Sequence, residues 1–306
     1  MVILADAQTR TADPLVRALL DNSPATLQTE PHLRSVIDGI TGVPGKLVRA
    51  RLTETAARIH GLDEDEARQL ACAIEYFHLA SLLLDDLPCM DDAEVRRGQP
   101  CAHREHGEAS AILGSLGLIN RAYALVQLAL LRQPEFIRLQ AGACVDACLG
   151  VSGLVGGQAR DLRFAEGDQS ARTIGRIALA KTGALFWLAA YLPALVSGPN
   201  AEERRGLKAL CVYWGLAFQT LDDLGDILGG SDALAKSRGR DRILSRPNLA
   251  LALGVPLARR RVARLARLAE QTVRRLEASD PRRWSYLRSF QLELFPARVR
   301  DAMQAA

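Results

Sequence analysis

The sequence predicts one all-α domain, a helical bundle of about ten or more helices around a central cleft. Three observations carry this. Of the 306 residues 48% are hydrophobic but only 5% aromatic, an Ala- and Leu-rich mixture with few β-branched runs, which favours helix nearly throughout. Apolar residues recur at helical spacing along the chain, with short breaks at Gly and Pro. No fixed-period repeat or composition break marks a second domain, so residues 1–306 are read as one unit, with core enough to fold without disulfides or a structural metal.

Taken in order, helices are expected at 12–22, 28–40, 45–60, 64–86, 106–132, 135–155, 170–193, 201–229 and 249–277, with a last one near 281–303. The intervals hold Pro24, then Gly42 to Gly45, Gly61, Pro88 to Pro100, Pro134, Gly156 to Gly167, Gly198 with Pro199, Gly229 to Pro247, and Pro281. Most of these breaks are short, and none is read as a disordered linker.

Net charge is +4, so electrostatics does not make the whole chain a nucleic-acid binder. Arginine outnumbers lysine, and its planar fork suits phosphate. The arginines between Arg259 and Arg275 are read as a solvated helix face, with membrane-surface contact as the alternative. Six cysteines (Cys72, Cys89, Cys101, Cys144, Cys148, Cys211) form no CxxC pair and are expected reduced, in a cytoplasmic protein. The N-terminal residues lack a basic start followed by an apolar core, so no signal peptide is expected. Nor is any uncharged stretch expected to reach the roughly 20 residues needed to span a bilayer, so no stable membrane insertion is expected.

The chemistry is concentrated in two acidic clusters. In LLLDDLPCMDDAEVRRGQP (82–100), Asp85, Asp86, Asp91 and Asp92 end a long apolar helix. Clustered carboxylates repel unless a cation neutralises them. Oxygen donors without His or Cys favour Mg²⁺, usually shared with a substrate's phosphates. On a continuous helix Asp85 and Asp91 would lie on different faces, but Pro88 breaks the turn and a bulge there would return Asp91 to Asp85. Arg96 and Arg97, followed by Gly98, supply cations for phosphate oxygens. In AFQTLDDLGDILGG (217–230), Gln219, Asp222 and Asp226 form one stripe of one helix, with Asp223 beside it. A stripe turned inward would be costly without a metal. Two such walls facing one cleft would hold several Mg²⁺ ions around one diphosphate, whose C–O bond would then ionise to an allylic cation.

These motifs resemble the bacterial all-trans polyprenyl diphosphate synthases, most closely the geranylgeranyl diphosphate synthases of carotenoid type. The resemblance covers roughly residues 40 to 250, through GKLVR (45–49), DDLPCMD (85–91), RRGQP (96–100), HGEASAIL (106–113), GGQARDL (156–162), KT (181–182) and FQTLDDLGD (218–226). It implies an isoprenoid synthase-like, all-helical homodimer that joins isopentenyl diphosphate head to tail with C5, C10 or C15 allylic diphosphates. It implies Mg²⁺ at three ions per site, with Asp85, Asp91 and Asp222 as ligands and Asp86, Asp92, Asp223 and Asp226 in support. Arg96, Lys181 and Lys236 would grip the allylic diphosphate. Lys46, Arg49, His78 and Arg97 would take isopentenyl diphosphate, and Thr182 and Gln219 would lie along the developing cation. The departing diphosphate would take the proton.

Some positions depart from the family's pattern. Leu47 stands where a second arginine is usual, and Arg246, Pro247 and Asn248 follow Asp241 where the family has Lys and a nearby Thr. The segment after AIL lacks the usual aspartate, as it does in the carotenoid-type branch. Ala80 and Ser81 are small where a bulky residue would stop growth early, and one turn deeper Phe77 and Tyr76 would form a floor, since a helical turn of about 5.4 Å nearly matches an isoprene unit. That predicts a C20 product over the C15 alternative. A terpene cyclase or head-to-head synthase would not need GKLVR, RRGQP and KT together. A low-activity partner subunit is the alternative from another class.

Overall fold

The computed structural model of the chain describes residues 13–228 and 240–295. The expected all-α architecture is what it contains: helices throughout, with strand limited among the described residues to a two-stranded hairpin. Packing divides the chain into two compact units, Met1–Arg58 with Leu62–Gln133, and Ile59–Gly61 with Pro134–Ala306.

The first unit contains α1 (Pro14–Asp21), α2 (Pro31–Gly42), α3 (Val48–Ile59, all but its last residue), α4 (Glu64–Asp85), α5 (Ala102–His106) and α6 (Glu108–Ala129). Its axis is α4, which starts on a capping box between Asp63 and Glu66. Ala67, Leu70, Ala71, Ile74, Leu79 and Ala80 are fully buried around its circumference, as befits a central helix. Gly114 lets α6 close onto α2, because a β-carbon there would stand 2.7 Å from Val36 Cγ1. The expected helix 106–132 begins instead at Glu108, because Gly107 turns the backbone to φ +82 and separates α5 from α6.

The second unit contains α7 (Glu135–Leu149), α8 (Leu154–Leu162), α9 (Ala171–Ala178), α10 (Ala184–Ala194), α11 (Ala201–Leu228), α12 (Arg240–Ile243), α13 (Leu249–Leu253), α14 (Val255–Ser279), α15 (Pro281–Trp284) and α16 (Tyr286–Leu294). Between α9 and α10 the helix widens into a π-turn, Leu179–Gly183. The longest helix, α11, packs along α14. Two buried indoles find partners: Trp214 Nε1 donates to Gln291 Oε1 (3.1 Å) and Trp284 Nε1 to Glu203 Oε1 (2.8 Å). The expected helix 249–277 is broken at Gly254 (φ +80).

The expectation of no span-length apolar helix is overturned: Glu108–Ala129, Glu135–Leu162 and Ala171–Ser197 are long and apolar enough to cross a membrane. The buried share of the apolar window is 61% in Ala171–Ser197 but 39% in Glu108–Ala129 and 22% in Glu135–Leu162, so burial in the core accounts for the composition of Ala171–Ser197 alone.

Candidate active site

In the first unit, α4 stops at Asp85 and the chain doubles back. Asp91 N donates to Asp85 O (2.9 Å), Asp92 N to Leu87 O (3.0 Å) and Ala93 N to Asp86 O (3.1 Å). The turn after Pro88 therefore brings Asp91 beside Asp85, as the spacing argument required. Asp92 accepts a left-handed backbone (φ 46) to close it and stays exposed, 3.2 Å from Arg104.

A hairpin follows, β1 (Val95–Arg96) against β2 (Gln99–Pro100), which the sequence reading did not contain. Its two turn residues, Arg97 (φ 54) and Gly98 (φ 78), are both left-handed, as the twist of a tight hairpin demands. The hairpin sends its two arginines to different partners. Arg96 forks onto the buried Asp86, with Nε 2.6 and 2.8 Å from the two carboxylate oxygens. Arg97 Nη1 donates to Val43 O (2.7 Å) and its guanidinium lies over Gly45. Asp86 is thus committed to Arg96, which leaves Asp85 and Asp91 as this motif's better-placed metal donors.

Behind the hairpin lies the GKLVR loop, with Lys46 exposed and Arg49 half-buried. Leu47 adopts φ 52 and is buried (3% exposed), so the residue that replaces the second arginine has become part of the core. His78, half-buried on α4, is held neutral: burial first, then the charges of Arg49, Arg97 and Arg96, push its pKa well below the usual imidazole value. One turn earlier stands Glu75, buried (2% exposed), to which the sequence reading gave no role; an acid in the middle of an apolar helix was the available signal. Phe77 meets Tyr123 of α6 edge-on at 5.1 Å, whereas the Tyr76 hydroxyl donates to Leu19 O. Ala80 is buried, with its carbonyl accepting from Ser115 Oγ (3.1 Å), and Ser81 is half-buried.

In the second unit the π-turn carries Lys181 and Thr182, and such widened turns tend to mark functional sites. Two glycines make room for it. A β-carbon on Gly157 of α8 would lie 2.7 Å from Ala180 Cβ, and one on Gly215 of α11 would lie 2.8 Å from Gly183 Cα. The close approach lets Thr182 Oγ1 donate to Gln219 Oε1 (3.0 Å), and Gln219 Nε2 then donates to Asp223 Oδ1 (3.0 Å). Lys181 Nζ donates to Asp161 Oδ2 (2.7 Å). Asp161 is buried and was missed as a site residue, although it is the one acid of the GGQARDL motif.

The expected stripe on α11 divides by function. Asp222 is exposed and Gln219 and Asp226 are half-buried, so the stripe opens outward at Asp222. Asp223 faces inward, its Oδ2 accepting from Leu249 N (2.7 Å). Burial pushes the Asp223 carboxyl up to about 7, with the hydrogen bonds from Gln219 and Leu249 opposing and the charges of Asp241 and Asp222 adding. With both oxygens engaged, Asp223 is a strut tying α11 to α13. Asn248 completes that joint: it caps α13 through Leu251 N (2.9 Å), and its Nδ2 reaches Asp241 Oδ2 (2.9 Å) and Asp223 O (3.3 Å). The departure at this position therefore keeps a side chain able to cap a helix, which is what a threonine would also do. Lys236 lies outside the described residues.

The donors present suit a hard divalent cation. Asp85, Asp91, Asp222 and Asp226 offer oxygen ligands, and Asp226 Oδ2 is buried with no hydrogen-bond partner. Among the described residues no three ligating side chains already converge as a closed metal cage. Mg²⁺ commonly takes one or two carboxylates and leaves its remaining positions to water and substrate phosphate.

Comparison with known proteins places this architecture. A family model described as polyprenyl synthetase matches residues 30–276. A geranylgeranyl diphosphate synthase of Pseudescherichia vulneris is 36% identical over 255 residues, covering 81% of each chain. A farnesyl diphosphate synthase of Geobacillus stearothermophilus is 36% identical over 202 residues, 65% of this chain and 67% of that one. Among solved structures, a geranyltransferase from Helicobacter pylori, complexed with magnesium and isoprenyl diphosphate, superposes with a TM-score of 0.81 over 95% of this chain and 97% of that one, at 24% identity. With the family match running through both acidic motifs, this chain belongs to the polyprenyl synthetase family of prenyltransferases.

Proposed function

We propose that the enzyme condenses isopentenyl diphosphate head to tail with C5, C10 and C15 allylic diphosphates and releases mainly the all-trans C20 product, geranylgeranyl diphosphate. The observation that carries this reading is the turn after Pro88, which puts Asp91 on Asp85 and sets the Arg96–Arg97 hairpin immediately after them. The relatives named for C20 synthesis support the product, and so do the small side chains of Ala80 and Ser81 ahead of the Phe77–Tyr123 pair.

Asp85, Asp91, Asp222 and Asp226 would hold Mg²⁺, three ions in number by family resemblance. Bound Mg²⁺ withdraws charge from the allylic diphosphate and so favours ionisation of its C–O bond. The chain's own groups do the rest. Arg96, Lys181 and Lys236 grip the allylic diphosphate; Lys46, Arg49, neutral His78 and Arg97 bind isopentenyl diphosphate. The Thr182 and Gln219 dipoles, fixed by their mutual hydrogen bond, face the developing cation. The departing diphosphate takes the proton, so no protein base is required.

The polyprenyl synthetase match runs through residues of both units, which supports reading the chain as one synthase domain. A homodimer would cover apolar surface that the chain leaves open: Leu113, Leu116 and Leu128 on α6, and Phe136 and Leu139 on α7, are exposed. None of the six cysteines is in a disulfide, which fits a reducing compartment such as the cytoplasm.

The test is product length from purified protein given Mg²⁺, labelled isopentenyl diphosphate and each primer in turn. A C20 product that disappears in Asp85→Ala and in Asp222→Ala, with helicity by circular dichroism unchanged, supports the reading. A C15 product would retain the reaction and defeat the chain-length argument. Absence of elongation with every primer would favour a partner subunit.

A further inference from the structure

We propose that Gly45 and Glu75 are positioning residues for the guanidinium of Arg97, holding it where isopentenyl diphosphate binds. The inference rests on the reading above that Arg97 takes that substrate. Two separate observations carry it, one of shape and one of charge.

The shape is a seat. The Arg97 guanidinium lies so close to the backbone of residue 45 that a β-carbon there would stand 2.8 Å from Cζ, 2.9 Å from Nη2 and 3.0 Å from Nε. Gly45 also has φ +83, which glycine adopts without strain. Two residues earlier, Val43 O accepts from Arg97 Nη1 at 2.7 Å. The loop that presents Lys46 is therefore also the surface on which Arg97 rests. Arg97 itself has a left-handed backbone (φ 54), which an L-residue keeps only where its surroundings hold it. The glycine of GKLVR and the second arginine of RRGQP thus form one construction from two distant stretches of sequence.

The charge comes from Glu75. It is 2% exposed on α4, and the charges acting on it are those of Arg49 and Arg97. Burial lowers the pKa of both Arg49 and Arg97; Glu75 opposes this at each, and Arg97 adds to it at Arg49. Two partly buried guanidinia that repel each other need a counter-charge to stay in place. A bound diphosphate supplies one; without it, Glu75 does. As an anion behind the arginines, Glu75 would repel a diphosphate, so its part is to orient them and not to touch substrate.

That repulsion makes the test sharp. By Coulomb attraction alone, Glu75→Gln would leave the site more positive and lower KM for isopentenyl diphosphate. A positioning role demands the reverse. Steady-state kinetics at mildly alkaline pH, with calorimetric binding of isopentenyl diphosphate to the unreacted protein, would be run on wild type, Glu75→Gln, Gly45→Ala, Arg97→Gln and the double variant Gly45→Ala/Arg97→Gln. We expect KM and Kd for isopentenyl diphosphate to rise about tenfold or more in each single variant. KM for the allylic primer should hold, and Gly45→Ala should add little once Arg97 is gone. A KM that falls or stays constant in Glu75→Gln would overturn the inference for that residue. A full Gly45→Ala effect persisting in the Arg97→Gln background would overturn it for Gly45. If Arg97→Gln leaves isopentenyl diphosphate binding intact, the substrate-site reading fails first and this inference with it. Should Gly45→Ala fail to fold, the near-isosteric Glu75→Gln still decides the charge half.

Discussion

The two aspartate motifs present carboxylates by opposite physical means. Around Asp85 the backbone is a turn and a tight hairpin with left-handed residues at Asp92 and Arg97, and the inward-facing acid, Asp86, is neutralised by a forked arginine. Around Asp222 the backbone is an uninterrupted helix, and the inward-facing acid, Asp223, has no cation; amide donors from Gln219 and Leu249 hold it while burial pushes its carboxyl up to about 7. The first device stores its order in an ion pair, the second in hydrogen bonds to neighbouring elements. A loop has too few backbone bonds to fix a carboxylate and needs a counter-charge, whereas a helix already fixes direction and needs only a strut.

Removing one partner of each device should sharpen that contrast. Asp86→Asn leaves the Arg96 guanidinium, 18% exposed at its side chain, without its carboxylate, and we expect about 3 kcal/mol loss of stability in urea unfolding together with loss of elongation. Lys181→Ala should strand Asp161, 8% exposed at its side chain, with a stability loss nearer ~2 kcal/mol because Lys181 itself is a quarter exposed. On the helical side, Asn248→Ala removes a cap and the bridge to Asp241, for about 1–2 kcal/mol, and Asn248→Thr should recover most of it by restoring the cap. If Asn248→Ala proves as costly as Asp86→Asn, the distinction between the two devices is wrong.

The first region keeps one acid of the second kind. Burial raises the Glu75 carboxyl to about 7, against the opposing charges of Arg49 and Arg97. A folded-state pKa above the unfolded value of about 4.3 means that its stabilising contribution is complete below the unfolded pKa and is lost as pH rises towards about 7. Thermal midpoints measured from pH 4 to 8 should therefore fall less steeply in Glu75→Gln than in wild type, and identical slopes would refute the burial argument. The smallest effect is expected at the rim: Asp92→Asn breaks an exposed pair with Arg104 and should change stability by less than ~0.5 kcal/mol.

Helix content, the acidic clusters and their metal preference were all legible without coordinates, because helical periodicity and oxygen-only donor sets are properties of local sequence. The return of Asp91 to Asp85 was legible too, since Pro88 disfavours continuation of the helix through Leu87. The partners were not. Nothing in the string reveals that Arg96 closes on Asp86, that Lys181 meets Asp161 from 20 positions away, or that Glu75 faces Arg49 and Arg97. Pairings of that kind depend on which helix faces meet. The apolar length of Glu108–Ala129 and its two counterparts was misjudged for a related reason: composition alone does not distinguish a helix buried in protein from one suited to lipid.

By itself, then, the sequence determined an all-α chain with two acid-bearing helix ends and the basic motifs between them. Only the tertiary structure decided which carboxylates remain available to a cation and which are tied to arginine, lysine or backbone amides. It also gave the glycines at positions 45, 157 and 215 their purpose, since each matters only where a distant part of the chain comes within contact of its α-carbon. The physical reason is common to both: a side chain's charge and shape are fixed locally, but its desolvation and its partner are fixed by what the fold packs against it.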